Sequence, residues 1–333
     1  MPEGFLPTGD ASRTMIARNT DAGQLKAGVP ADEVAATTAL IRARVVPTTQ
    51  LAALIDQFGS AVKLVQLSEA DRLFAVQDAS HTLVGAVTPE ILGRAVVDVE
   101  EWLSRGLDVR TLLDPNYPRS LHDIFDRPPL LFIQGRWVEE LDSRSVAVVG
   151  TRTASLEGRK RARRLSRELV EAGFTVLSGL ALGIDTAAHQ AALKAHGRTV
   201  AVMGTGIDHR YPASNAPLAE RVVDSGGALI SQFFPEQTPR PWTFPMRNVV
   251  MSGLALATVV IEAGSTSGAR MQARVALQHG RTVFLLRSLV NSHDWAKKYA
   301  TEGAYETKAI MVGSTREIVE RLDNAMTTTT LRL

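Results

Sequence analysis

From Ser145 onward, short apolar runs at residues 146–149, 175–177, 199–203, 228–231, 258–261, 282–286 and 310–312 alternate with longer stretches whose apolar residues recur every three or four positions. Continuous apolar runs of this length suit strands covered on both faces, and the three-to-four spacing suits helices that bury one side. Helices are expected near residues 156–172, 186–196, 215–225, 267–279 and 315–322. Such alternation predicts an α/β domain over residues 145–325, doubly wound and Rossmann-like in the broad sense, with a mostly parallel sheet.

Upstream the pattern changes. Residues 31–106 read as a small helical domain: Leu51, Leu54, Ile55 and Phe58 share one face, and Gly59 supplies a stop. A second helix is expected to start at Thr88-Pro89-Glu90, threonine capping and proline in the first turn, and to run through Val96, Val99 and Leu103 to Gly106. Residues 107–144 carry short extended pieces broken by Asp114-Pro115-Asn116-Tyr117-Pro118 and Arg127-Pro128-Pro129, and are expected to form a connector packed on the larger domain. Residues 1–30 read as a loose tail without a signal peptide or membrane span, and 326–333 as a frayed end.

Charge enters as a local feature. The 333 residues carry 37 Lys and Arg against 35 Asp and Glu, a formal net charge of +2, so any polyanion must meet a patch. Six of the ten residues from Gly158 to Arg167 are basic, and they follow the apolar run ending at Gly150. With Leu156, Ala162, Leu165 and Leu169 docked on a sheet, these cations face outward. The run reads either as a solvated helix face or as an anion site; its position beyond a strand's carboxyl end favours the latter. Cysteine is absent, which removes disulfides, thiolate catalysis and iron–sulfur clusters and suits a cytoplasmic protein. The seven histidines are scattered without paired-ligand spacing, so no metal site is expected.

The first strand turns through Gly150-Thr151-Arg152, which lacks the G-x-G-x-x-G spacing that a dinucleotide needs, so no nicotinamide cofactor is expected. At such a turn the forked donors of Arg152 would suit a phosphate or a guanine edge. The second strand leads into Ser178-Gly179-Leu180-Ala181-Leu182-Gly183-Ile184-Asp185, with His189 one turn later. Asp185 is a good helix cap, and His189 reads as a structural histidine bonded to that cap in preference to a catalytic base.

These residues, followed by Gly204-Thr205-Gly206-Ile207-Asp208-His209-Arg210-Tyr211-Pro212-Ala213-Ser214-Asn215, resemble the DNA-processing protein A family, DprA, also called Smf. The resemblance continues through Tyr117-Pro118, Pro128-Pro129, Phe244-Pro245-Met246-Arg247-Asn248, Val260-Ile261-Glu262-Ala263 with Ser267-Gly268, and Glu302-Gly303-Ala304. It implies a homodimeric, non-enzymatic protein that binds and protects single-stranded DNA and assists RecA loading in natural transformation or homologous recombination. No cofactor is implied. Residues 31–106, with Gln57-Phe58-Gly59-Ser60, look like the sterile-alpha-motif-like domain of many members; the winged helix of some members is not expected in the short stretch after Val312. The DNA-binding set implied comprises Gly150, Thr151, Arg152, Lys160, Arg164, Gly179, Gly206, Arg210, Tyr211, Asn215, Arg247, Asn248, Ser267 and Gly268. Family cations are replaced by Leu182, Val249 and Ala213, and a late proline-glycine pair by Arg287-Ser288.

Tyr211, Phe233, Phe234, Trp242 and Phe244 fall in expected loops among Arg210, Arg240 and Arg247, a composition that suits a single-strand stacking platform or, for Phe233 and Phe244 especially, packing against the sheet. A nucleotide phosphoribohydrolase of the lysine-decarboxylase-like group would carry P-G-G-x-G-T-x-x-E, whereas here Glu262 precedes the loop from Ala263 to Gly268 and reads as capping the Ser267 helix or bonding loop amides. A nucleotide-sensing module, using the Gly150 and Gly264 loops and placed in defence, is the alternative left open.

Overall fold

The structure, a computed structural model, describes residues 29–67 and 85–330; most of the expected tail, residues 68–84 and residues 331–333 lie outside the described residues. The chain divides into one unit of Met1–Tyr117 with Pro128–Leu131 and another of Pro118–Arg127 with Phe132–Leu333. The expected connector is thus shared between the two units.

The first unit holds α1 (Ala31–Ala43), α2 (Thr48–Phe58), α3 (Ala61–Val65), α4 (Pro89–Ser104) and β1 (Asp108–Thr111). Its helix ends follow the sequence closely. Gly59 stops α2 at φ 65°, where a side chain is disfavoured, and Thr88 caps α4 by accepting from the Ile91 amide at 3.3 Å. Glu33 reaches from α1 to the start of α3 and accepts from the Ala61 amide at 2.7 Å and from the Ser60 hydroxyl. Leu40, Leu51, Ile55, Leu64, Val99 and Trp102 are buried, and Asp98, buried with them, pairs with Arg42 and Arg94.

In the second unit follow α5 (Arg119–His122), β2 (Leu130–Gly135, its first two residues in the first unit), α6 (Glu139–Asp142), β3 (Ser145–Val149), α7 (Leu156–Glu171), β4 (Thr175–Ser178), α8 (Ile184–Lys194) and β5 (Thr199–Val202). Next come α9 (Ala216–Asp224), β6 (Ala228–Ser231), α10 (Thr243–Leu254), β7 (Ala257–Val260), α11 (Gly268–Gln278), β8 (Thr282–Leu286), α12 (Arg287–Ser292), α13 (Asp294–Thr301), β9 (Ile310–Val312) and α14 (Thr315–Thr330). The nine strands run in the order β1-β2-β6-β5-β4-β3-β7-β8-β9. From β6 to β9 all neighbours are parallel, and β2 pairs antiparallel with β6. Chain order therefore reverses between β3 and β7, where an open α/β sheet leaves a crevice beyond its strands' carboxyl ends.

Val146, Val148 and Val176 on the sheet pack with Ala162, Leu165 and Leu169 of α7 and with Ala188 and Ala192 of α8. Each fully buried valine or leucine here is stabilising by about 1.5–3 kcal/mol. At the opposite end of the sheet Asp142, wholly buried, accepts from Arg198 Nε and Nη2 at 2.6 Å each and from the Val138 amide at 2.7 Å, tying α6 to the start of β5.

Three segments depart from the expected pattern. Residues 243–254, expected as loop, form α10, because Pro245 sits in the first turn, where its missing N–H costs nothing. Helices α12 and α13 were hidden by the extended residue His293 (φ −139°), which breaks the apolar spacing of Leu289, Val290, Trp295, Ala296 and Tyr299 into two short pieces. Finally, α14 continues to Thr330, so the expected frayed end is helical to that point; threonines are weak helix formers without being breakers.

Candidate functional site

The crevice between β3 and β7 is closed at its base by backbone. Ile261 N donates to Val149 O at 3.0 Å and Thr151 N to Glu262 O at 2.7 Å. Gly150 leaves no room for a side chain, since a Cβ there would come 2.3 Å from Ile184 Cγ1. Arg152 then projects outward, and its guanidinium lies 5.1 Å above the Phe244 ring in the first turn of α10. Phe244 in turn meets Tyr211, 5.5 Å away and 43 % exposed. Cation and two rings form a row beyond β3 and β5, the arrangement that stacks an unpaired base while neutralising its phosphate. Phe244 also covers Gly204, whose Cβ would meet its ring at 2.7 Å, so it both packs and presents the arginine. Phe233 is buried, as its packing reading expects, edge-on to the half-exposed Trp242 at 5.7 Å.

Buried polar groups hold the neighbouring loop rigid. Leu180 adopts the left-handed region at φ 57°, uncommon for leucine, and Asn215 Nδ2 donates to its carbonyl at 2.7 Å and to Thr186 Oγ1 at 2.8 Å. Asp185 does not cap α8, whose preceding residue is Gly183; its carboxylate accepts from the Gly179 amide at 3.1 Å and pins the loop. Burial raises the Asp185 carboxyl above the ordinary carboxylate range, against the Arg247 charge and the amides of Gly179 and Ala181. Arg247 is itself only 8 % exposed, lies over Gly179, and donates to Val202 O at 2.9 Å. Burial pulls its guanidinium down, with Asp185 opposing and Arg152 adding to the shift.

His189 bonds to Thr199 of β5 at 2.7 Å, not to Asp185. The Thr199 hydroxyl donates to Val176 O, so Nδ1 of the imidazole carries the proton. Burial, with the Arg247 charge second, lowers its pKa to about 3 from 6.5. The folded state thus refuses a proton that the unfolded chain accepts below pH 6.5. Stability contributed by the neutral ring is complete above that value and is lost as pH falls towards about 3. Acidifying from about pH 7 to pH 4 should remove about 3 kcal/mol through this residue, and His189→Gln should flatten that part of the urea-unfolding profile against pH.

A family model described as DNA recombination-mediator protein A matches residues 108–323. The chain belongs to this family. Among curated members, Protein Smf of Synechocystis sp. is 40 % identical over 200 residues, covering 59 % of this chain and 49 % of that one. Protein Smf of Escherichia coli is 38 % identical over 209 residues, covering 62 % and 54 %. The chain therefore spans about half the length of these curated relatives. The DNA processing protein A structure from Streptococcus pneumoniae superposes with a TM-score of 0.66 at 29 % identity over 88 % of this chain and 98 % of that one. A second, from Helicobacter pylori and described with a single-stranded DNA binding mode, gives 0.57 at 25 % identity over 66 % and 97 %. The resemblance read from the motifs and the doubly wound fold are both shown.

For a DNA recombination-mediator protein A, the fourteen residues singled out by sequence separate into groups. Gly150, Thr151 and Arg152 line the crevice, Tyr211 lies to one side of it beyond β5, and Ser267 with Gly268 opens α11 beyond β7, Ser267 accepting from the Ala269 amide at 3.2 Å. Gly179, Gly206, Asn215, Arg247 and Asn248 lie buried. Gly206 packs against the Phe234 and Pro235 carbonyls, and Asn248 accepts from Arg247. Arg210, half-buried, turns back to the Ile207 carbonyl and to Gln134. These six support the loops from beneath. Lys160 and Arg164 line a different cleft with Arg287, so the cationic residues of the expected DNA-binding set fall in two parts.

The basic helix α7 is also less free than its composition suggests. Arg161, Arg164 and Arg167 each pair with an acid four positions away, Glu157 at 3.2 Å, Glu168 at 3.9 Å and Glu171 at 3.4 Å. Glu262 bonds a loop amide, as one of its two expected roles has it, though at the start of α7 and not at the Ser267 helix: it accepts from Ser155 N and from Ser155 Oγ at 2.8 Å. Among the described residues no cluster of acids and histidines could hold a metal, and no helix is long and apolar enough to cross a membrane.

Proposed function

We propose that this family member binds single-stranded DNA at the Arg152–Phe244–Tyr211 row, shields it, and delivers it to a recombinase of the RecA class during natural transformation or homologous recombination. The observation that carries the reading is an exposed guanidinium at the reversal point of the sheet, stacked on one ring and followed by a second, exposed ring on the β5 side. Rings accept any base, the arginine accepts the phosphate between bases, and neither selects sequence. The strand would pass the backbone of Gly150 and Thr151 and the open start of α11 at Ser267 and Gly268. The H. pylori relative's single-stranded DNA binding mode supports the same ligand class. No bond is broken in this role, so it is a binding function and not a catalytic one; it places the protein in the cytoplasm, where the family's homodimeric assembly is proposed as well.

The test is an anisotropy titration with labelled oligothymidine, an equal-length duplex, and unlabelled thymidine monophosphate as competitor. Tighter binding of the single strand, undisturbed by millimolar mononucleotide, is expected. Equal duplex affinity, or ready displacement by the mononucleotide, would instead favour the nucleotide-sensing reading. In the same assay Tyr211→Ala should cost about 1 to 3 kcal/mol of single-strand affinity, because a stacked ring is lost, with little change towards duplex.

A further inference from the structure

The second part of the cationic surface has the features of a separate site. A cavity of about 560 Å³ opens beyond the carboxyl ends of β7, β8 and β9, between α7 and the start of α14. Its floor is apolar, built from Leu165, Ile261, Leu286 and Val312, and four cations surround it: Lys160, Arg161, Arg164 and Arg287. Arg161 is partly neutralised by Glu157 at 3.2 Å and donates to Ser288 Oγ at 2.6 Å. Lys160 and Arg287 make no ion pair with any described residue, and both are exposed. Helix α14 does not serve as the anion holder, since Glu317 already accepts from the Gly313 amide and the Ser314 hydroxyl at 3.2 Å each. Side chains, not the helix start, supply the positive field.

We infer that this cleft binds a nucleoside phosphate, the base and sugar against the apolar floor and the phosphate between Lys160 and Arg287. The volume falls in the range of small-ligand cavities, and an apolar floor with a few convergent charges is the usual composition of such sites. Arginine forks bind phosphate oxygens in pairs, and the mouth of a parallel sheet is where ligands of this fold collect. A nucleoside phosphate reaches the cleft either as a free nucleotide or as the phosphorylated end of a strand. The inference is independent of the Arg152 row, which involves other side chains and lies beyond β3 and β5.

Calorimetric titration of the full chain with thymidine 5′-monophosphate tests it, with thymidine as the uncharged control. Binding is expected for the monophosphate and not for thymidine, weakened at least tenfold in Lys160→Ala/Arg287→Ala and unchanged in Arg152→Glu. Both substituted cleft residues are exposed, and thermal unfolding verifies that the double variant is folded. A second arm compares oligothymidine with and without a 5′-phosphate: a gain in affinity that the double variant abolishes assigns the cleft to strand ends, and no gain assigns it to free nucleotides. Absence of monophosphate binding, its survival in the double variant, or its loss in Arg152→Glu would each overturn the inference, the last by moving the nucleotide to the Arg152 row.

Discussion

Arg152→Glu should weaken the binding of single-stranded DNA roughly a hundredfold at low salt, the largest loss expected from one side chain at the crevice. Arg152 is exposed and pairs with no acid among the described residues, so its charge is available to a phosphate. Removing a charge-assisted phosphate contact at so exposed a place costs about 1.5–2 kcal/mol, the lower part of the usual range, and a carboxylate there adds repulsion to the loss. Arg152→Ala should accordingly fall between wild type and Arg152→Glu, at roughly ten- to thirtyfold. Arg152→Lys restores charge without the planar stack on Phe244 and should recover only part of the affinity. Because the exposed side chain rests only on the Phe244 ring, all three variants should unfold within a few degrees of the wild-type temperature. Undiminished affinity in Arg152→Glu would remove this residue from the interface.

The second large effect concerns stability. Asp142→Ala should destabilise the protein by about 3 to 5 kcal/mol, because it leaves a largely buried guanidinium without its countercharge and the Val138 amide without an acceptor. Asp142 is fully buried, and Arg198 also donates to the carbonyls of Gly226 and Arg136, so the arginine cannot turn away without breaking further bonds. Against a usual total of about 5–15 kcal/mol the loss is severe. In urea the unfolding midpoint should drop by roughly 1 M or more. Single-strand affinity of the folded protein should stay at the wild-type value, since Arg198 precedes β5 while the Arg152 row lies past its far end. A wild-type urea curve would contradict the pairing; intact stability with lost binding would contradict its separation from the site.

How much was legible in the sequence depended on the range of the interaction. Gly59, Thr88 and Ala162, Leu165 and Leu169 of α7 act within a few residues, and their roles could be read directly, whereas Leu156, expected on the sheet with them, is 62 % exposed at the helix start. The turn at Gly150-Thr151-Arg152 could be placed as well, because a short turn after a buried strand has few alternatives. Arg247 belongs to the expected DNA-binding set, yet it is buried by Gly179 and Asp185 of one stretch and by Val202 of β5, two distant segments that only the sheet order brings together. The pairing of Arg161, Arg164 and Arg167 with Glu157, Glu168 and Glu171 was available from the four-residue spacing, but the concentration of positive charge obscured it. Arg287 stood out only as a replacement for proline-glycine; its place opposite Lys160 follows from β8 lying beyond β7, which no local pattern encodes.

The central claim is an electrostatic and stacking grip on an unpaired strand at the mouth of the sheet, and the salt dependence of binding tests it most directly. Each neutralised phosphate of a single strand contributes about 0.7 to the slope of log affinity against log salt. Four or five contacts predict a slope near −3, approximately, falling in magnitude by about 0.7 in Arg152→Ala. A slope near zero for the wild type, or the same steep slope in Arg152→Ala, would contradict it.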